Sequence, residues 1–235
     1  MKRRKDQDKT ADTGSAAIVE RPKRKRPTGP KSITINNIFW FLSKHYTEPD
    51  GIYQLKEGIE LDAITKFMCK ECKQSGCDDF GIEVDKVFTI GGKKAKTSAQ
   101  LYRMMIAKRY KPGERGEAMI FFHGTDERAG MAILEHDFDI RKETRSLHGP
   151  GSYISPDFGT AHIYAREKSG YSNKYWMLIL IKRTSNITVA PSGIKSFPPD
   201  VDCFCEPGPY PKIFSFDPAH NTHLTYALVS YTVKY

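Results

Sequence analysis

Apolar residues fall at helical spacing in the front of the chain and in strand-like runs towards its end. "INNIFWFLSKHY" brings Ile38, Phe41, Leu42 and His45 onto one side of a helix. "LDAITKFMCKECKQ" repeats the pattern with Ile64, Phe67 and Met68. "FGIEVDKVFTI" reads as a third, short helix through Ile82, Val84 and Val87. "GGKKAKTSAQLYRMMIAKRYK" opens on Gly-Gly and reads as a hairpin with a basic loop. Beyond residue 112 the period changes. "EAMIFFHG", "YWMLILIKRTSN" and "THLTYALVSYTVKY" are β-rich runs, and helices are expected at about 126–136 and 157–168, the second capped by Ser155 or Asp157.

Composition divides the chain in the same places. Residues 1–32 hold 11 Lys and Arg against 4 Asp and Glu, residues 33–112 hold 13 against 10, and residues 113–235 hold 13 against 14. The overall charge of +9 therefore belongs to the front half, where a polyanion would be met. Residues 1–32 have few large apolar side chains and read as a disordered basic tail. Their clusters Lys2-Arg3-Arg4-Lys5 and Lys23-Arg24-Lys25-Arg26 point to nuclear targeting or a phosphate-binding arm. No run of 18 apolar residues is present, so no transmembrane helix and no membrane partner are expected. The five cysteines, without an export signal, read as reduced thiols. Cys69, Cys72 and Cys77 have a spacing that invites zinc, but a fourth ligand would have to be recruited from elsewhere, with His45 the candidate, and no metal is expected. Cys203 and Cys205 read as packed strand residues.

Three short helices and a basic hairpin are the layout of a winged helix. Through "FWFLSKHYTEPDG", "FGIEVDKVF" and "LYRMMIAKR", residues 33–112 resemble a regulatory-factor-X-type DNA-binding domain. The resemblance implies that Lys86, Lys93, Lys94, Lys96 and Arg103 contact DNA. Lysine in place of that family's arginines suits phosphate contact more than base reading. The competing reading is a helical cap on the following domain.

The second half carries the chemistry. His123-Gly124-Thr125 closes an apolar strand, Gly149-Pro150-Gly151 forces a turn before Tyr153, and Tyr164 follows eleven residues later on a helix. Two tyrosines from a strand and a helix can face each other across a slot. Such a slot suits a planar ring, at about 1 kcal/mol per stacked face beyond burial, and a cationic pyridinium gains more. "HGT", "GPGSYIS" and "TAHIYA" resemble the poly(ADP-ribose) polymerase branch of the ADP-ribosyltransferases in order, residue type and spacing. The resemblance implies an α+β fold with a split, mixed sheet and flanking helices, and NAD+ as substrate. His123 and Tyr153 would be catalytic, with Gly124, Thr125, Ser152, Thr160, Tyr164 and Arg141 holding the cofactor. Gly124 would offer its backbone to the nicotinamide carboxamide, and Arg128 is a second candidate for the pyrophosphate. The family's carboxamide-binding serine falls on Thr160 or Ala161, and its adenosine-side asparagine on Ala129. The family's late-strand glutamate falls on Thr225 or Tyr226, so no acid stands there; Asp217 and Glu206 are the nearest upstream.

These readings define three domains: the tail 1–32, a winged-helix-like unit 33–112 and an ADP-ribosyltransferase-like domain 113–235. The expected function is mono-ADP-ribosylation from NAD+ in the nucleus, directed to DNA or chromatin, with a protein or nucleic-acid acceptor. The alternatives are a module that binds NAD+ or ADP-ribose without turnover, and a DNA-binding protein with this fold as scaffold.

Overall fold

The computed structural model describes residues 29–76, 81–107, 118–139, 141, 150–184, 187–192, 194–198, 200–220 and 223–234. The basic clusters of the tail and Cys77 lie outside the described residues. Among the described residues are five α-helices: α1 (Ile38–Lys44), α2 (Ile59–Gln74), α3 (Gly92–Ala107), α4 (Glu127–His136) and α5 (Phe158–Ser169). The strands are β1 (Gly51–Leu55), β2 (Gly81–Gly91), β3 (Ala118–Thr125), β4 (Ser152–Ile154), β5 (Lys174–Arg183), β6 (Ile187–Val189), β7 (Cys203–Cys205), β8 (Phe214–Phe216) and β9 (His223–Lys234). No helix among them is long and apolar enough to cross a membrane.

Five strands form an antiparallel sheet in the order β1-β2-β9-β5-β3. A second sheet, β4-β8-β7-β6, is mixed, with β6 and β7 parallel. The sheets meet where the Phe122 N–H donates to the Ser155 carbonyl (2.7 Å) and the Ser155 N–H returns a bond to Phe122 (2.9 Å). β5 shows why the main sheet is buried on both faces. Its Tyr175, Met177, Ile179 and Ile181 enter the core shared with α1, α2 and α5, while Trp176, Leu178 and Leu180 enter the core shared with α4 and the second sheet. Alternate side chains of a strand leave opposite faces, so a continuous apolar run needs cover on both.

The α+β class and the split, mixed sheet agree with the expectation, as do α1, α2, α4, α5, β3, β5 and β9. Residues 81–107 differ. The segment expected as a third helix is the strand β2, which pairs with β9 along most of its length. Its apolar positions misled because the register shifts between Val84 and Lys86, which breaks the alternation in the middle of the strand. The expected hairpin is the helix α3. Gly92 turns the chain into that helix with φ 58°, and a Cβ there would meet Asp50 Oδ1 at 2.1 Å. The Asp50 carboxylate accepts the Lys93 N–H in the helix's first turn. These residues therefore do not form three helices and a wing. Their strands β1 and β2 extend the main sheet, and α1 and α2 cover one face of it.

Of the cysteines, Cys69 is half-buried with its thiol 3.8 Å from the Ile82 carbonyl, and Cys72 is buried. Cys203 and Cys205 are both buried, and burial pushes the Cys203 thiol up to about 11.

Candidate functional site

β3 is an edge strand, and its free side opens on a cleft of about 820 Å³. His123, Gly124 and Thr125 of β3, Tyr153 of β4 and Tyr164 of α5 all line it. Both helices that flank the cleft start on an aspartate. The Asp126 carboxylate accepts the Ala129 N–H (2.8 Å), and the Asp157 carboxylate accepts the Thr160 N–H (2.8 Å). Of the two expected caps on α5, Asp157 is therefore the one used; Ser155 Oγ accepts the Asp157 N–H instead.

His123 is oriented by its surroundings. Its Nδ1–H donates to the Tyr153 carbonyl (2.7 Å), and its ring stands edge-on to Phe138 at 5.1 Å. Burial lowers the imidazole pKa, against the opposing pull of that bond. The ring is thus neutral near pH 7, which leaves Nε2 as an acceptor for a hydroxyl.

Gly124 has two roles, set by the two sides of the strand. Phe122 spends both its backbone groups on Ser155 at the free edge. Two residues on, the Gly124 N–H and C=O face the same edge, because the backbone groups of a strand alternate in direction. A donor and an acceptor side by side match a primary amide. On the other side, a Cβ at Gly124 would lie 2.0 Å from the Ala161 carbonyl oxygen and 2.5 Å from the Ala165 nitrogen. Glycine here lets α5 pack directly on β3, which sets where Tyr164 stands.

Other expected cofactor residues fall elsewhere. The Thr160 hydroxyl donates to Asp157 (2.7 Å), and Thr160 does not line the cleft; Ala161 does. The serine's place is thus taken by a residue without a hydrogen-bonding side chain. Ser152 is fully buried, with a hydroxyl that has no hydrogen-bond partner, and lies outside the cleft wall. Arg141 lines the cleft, with its guanidinium paired to both oxygens of Asp139 (2.8 and 3.0 Å). Arg128 is exposed and lies away from the lining, while Ala129 is part of it. Asp217 lines the cleft; Glu206 instead accepts the Ile213 N–H (3.2 Å).

β9 places Thr225 and Tyr226 on opposite faces. Tyr226 is fully buried against α2, where its hydroxyl donates to Glu60. Thr225 faces the side of α4, and its hydroxyl is buried without a partner beside a small cavity of about 130 Å³. Ile133 and Asp137 line both that cavity and the cleft. Thr225 therefore lies on the α4 side of the strand, next to residues of the cleft lining but not in it.

Asp137 lies outside the recognisable motifs of the sequence. It ends α4 with φ 72° and ψ 178°, a backbone region kept almost wholly for glycine. Holding another residue there costs on the order of 1–3 kcal/mol. Among the described residues it is the one non-glycine with positive φ. Its signal in the sequence was an aspartate where a helix customarily ends on glycine.

The residues expected to meet DNA divide. Lys93, Lys96 and Arg103 are exposed on α3 at spacings that share one helix face, and Arg103 lies 4.2 Å over the Phe39 ring. Lys94 points inward, and its ammonium donates to the Leu134 and Glu135 carbonyls at the end of α4. Those two carbonyls occupy the charge that a phosphate contact would need. Lys86 sits half-buried within β2, not on a wing.

No family model and no curated protein matches the chain. Solved structures do. The PARP domain of Arabidopsis RADICAL-INDUCED CELL DEATH1 superposes with a TM-score of 0.56 at 13% identity, covering 72% of this chain and 99% of that one. The TASOR pseudo-PARP domain superposes with a TM-score of 0.55 at 15% identity, covering 78% of this chain and 99% of that one. Both matched spans exceed residues 113–235, in keeping with the front-half strands in the main sheet. The chain has the fold of the PARP catalytic domains.

Proposed function

We propose that the cleft binds NAD+ and that the protein transfers single ADP-ribose units from it. The observation that carries this is the convergence of His123, Gly124, Tyr153 and Tyr164 on one cleft beside the open edge of β3. The Gly124 edge groups fit the carboxamide, the two tyrosines fit the faces of its ring, and His123 Nε2 fits a ribose hydroxyl. When bound, NAD+ supplies the ADP-ribosyl group: its C–N glycosidic bond breaks with the electron pair leaving on nicotinamide, and an acceptor oxygen forms the new bond and gives up its proton. That cleavage passes through an oxocarbenium-like state that needs positioning more than a strong base. Elongation needs a base at the acceptor hydroxyl, and Thr225 offers none, so polymer is not expected.

A second reading is a module that binds NAD+ without turnover. The side chains of Ala161 and Thr225, which supply neither a carboxamide partner nor an anion, favour it. Labelled NAD+ separates the two. Single-unit label on the protein or an added acceptor supports transfer; NAD+ binding without label leaves the second reading. In either case Tyr153→Ala is expected to weaken NAD+ binding about tenfold or more by calorimetry, through lost stacking and burial. Unchanged binding in both Tyr153→Ala and His123→Ala would sink the site assignment.

We further propose that the protein acts in the nucleus on or near DNA, supported by the basic clusters at 2–5 and 23–26 and by Lys93, Lys96 and Arg103 on one exposed face of α3. Replacing those three α3 residues with alanine is expected to lower the slope of log affinity against log salt by about one per residue. A duplex titration with an unchanged slope would exclude this face.

A further inference from the structure

Four aspartates line the cleft, and three engage partners two or three residues along the chain. Asp126 caps α4, Asp139 gives both oxygens to Arg141, and Asp217 accepts the Ala219 N–H (2.9 Å). Asp137 is built differently. Its Oδ1 accepts both the His223 Nε2–H (2.8 Å) and the Phe138 N–H (2.9 Å), which fixes the carboxylate plane. His223 is itself held rigid, 3% exposed and packed between Phe138 (5.9 Å) and Phe216 (4.7 Å). Phe138 in turn stands against His123, so the clamp and the cleft histidine share one aromatic wall. The Asp137 side chain remains about half exposed, at the cleft. Burial works against its charged form, but the bond and charge of His223, with the Phe138 amide and Lys94, hold its pKa below the usual range. A strained backbone, a buried histidine clamp and an ionised oxygen at a nucleotide-sized cleft are the makings of a hydroxyl acceptor.

We infer that Asp137 is a ribose-recognition residue: its Oδ2 accepts a hydrogen bond from a ribose hydroxyl of the nucleotide bound in the cleft. The inference rests on the reading of the cleft as an NAD+ site, but not on turnover. Carboxylates serve this purpose in other nucleotide folds, where they bind a free ribose hydroxyl and disfavour a phosphorylated one.

The test is calorimetric titration of the full chain and of Asp137→Asn with NAD+, NADP+, ADP-ribose and nicotinamide mononucleotide. Asparagine keeps Oδ1 for His223 and Phe138, matches aspartate in size so that the backbone strain is unchanged, and replaces the acceptor at Oδ2 with a donor. The variant is expected to melt near wild type and to bind NAD+ about tenfold or more weakly. If the adenosine ribose is the one bound, ADP-ribose weakens in parallel, and wild type disfavours NADP+ by about tenfold, a preference the variant loses. If it is the other ribose, nicotinamide mononucleotide weakens together with ADP-ribose, which keeps both riboses, and the ratio of NAD+ to NADP+ affinity stays as in wild type. Wild-type affinities for all four nucleotides in the variant would overturn the Asp137 assignment and leave the cleft reading standing. A wild-type protein that binds none of them would overturn both.

Discussion

Gly124→Ala is expected to destabilise the protein by about 3 kcal/mol or more and to abolish NAD+ binding. The added methyl would sit 2.0 Å from the Ala161 carbonyl oxygen and 2.5 Å from the Ala165 nitrogen. Both are backbone atoms of α5 and cannot rotate aside as a side chain would. Either α5 lifts off β3, exposing the interface formed by Phe158, Ala161 and Ala165, or the edge of β3 distorts. Each outcome moves Tyr164 relative to His123 and Tyr153. For a chain of this size the loss corresponds to a fall in melting temperature of about 6–12 °C. Thermal unfolding and a nucleotide titration read the two effects together. A Gly124→Ala protein that melts with wild type would refute the packing role.

Glu60→Ala should cost about 3–5 kcal/mol, although Glu60 is remote from the cleft. Glu60 is 7% exposed and lies in the first turn of α2. It accepts the His45 Nε2–H at 2.6 Å and the Tyr226 hydroxyl. A carboxylate only accepts, so His45 carries its proton on Nε2 there, and its Nδ1 is left to accept the Tyr53 hydroxyl. The four side chains come from β1, the turn after α1, α2 and β9. Burial, reinforced by the nearby Glu60 charge, raises the Tyr226 hydroxyl well above its ordinary pKa and keeps it a donor. Removing the carboxylate strands two buried donors at once, the costly case. Tyr226→Phe removes one bond and should cost only about 1–2 kcal/mol. Because the two residues share a bond, the double variant should be little worse than Glu60→Ala alone, as a denaturation cycle would register. Fully additive losses would mean that the two side chains are not coupled.

Part of this architecture is legible in the sequence alone. β5 and β9 are long and rich in aromatic and aliphatic residues, and such runs have few other fates than a buried strand. α2 keeps one apolar face through Ile64, Phe67 and Met68, as its spacing predicts. His123, Gly124, Tyr153 and Tyr164 were legible because each lies in a short motif of distinctive residue types and spacing, and all four line the cleft. The choice between Ser155 and Asp157 as a cap was open only because their side chains lie two residues apart and do similar chemistry.

Other features depended on residues distant in the chain. β2 looked helical because its bulge interrupts the alternation, and pairing with β9 overrides that local pattern. α3 looked like a hairpin because Gly-Gly suits a tight turn, whereas Asp50, more than forty residues earlier, supplies the carboxylate that meets its first turn. Lys94 looked like a phosphate contact until the end of α4 arrived to take its ammonium.

What the sequence determined by itself was the class of fold and the motifs that meet at the cleft, since period and motif are local properties of the chain. What only the tertiary structure decided was which atoms face the cleft. It put Ala161 rather than Thr160 on the wall, and turned Thr225 towards α4 while Tyr226 went into the core against α2. It revealed that any Cβ at position 124 is excluded by α5, and brought the Asp137 carboxylate to a histidine 86 residues away. The physical reason is common to all four. The direction of a side chain is set by the element it sits on, but its partner is set by what packs against that element, and packing is not written in neighbouring residues.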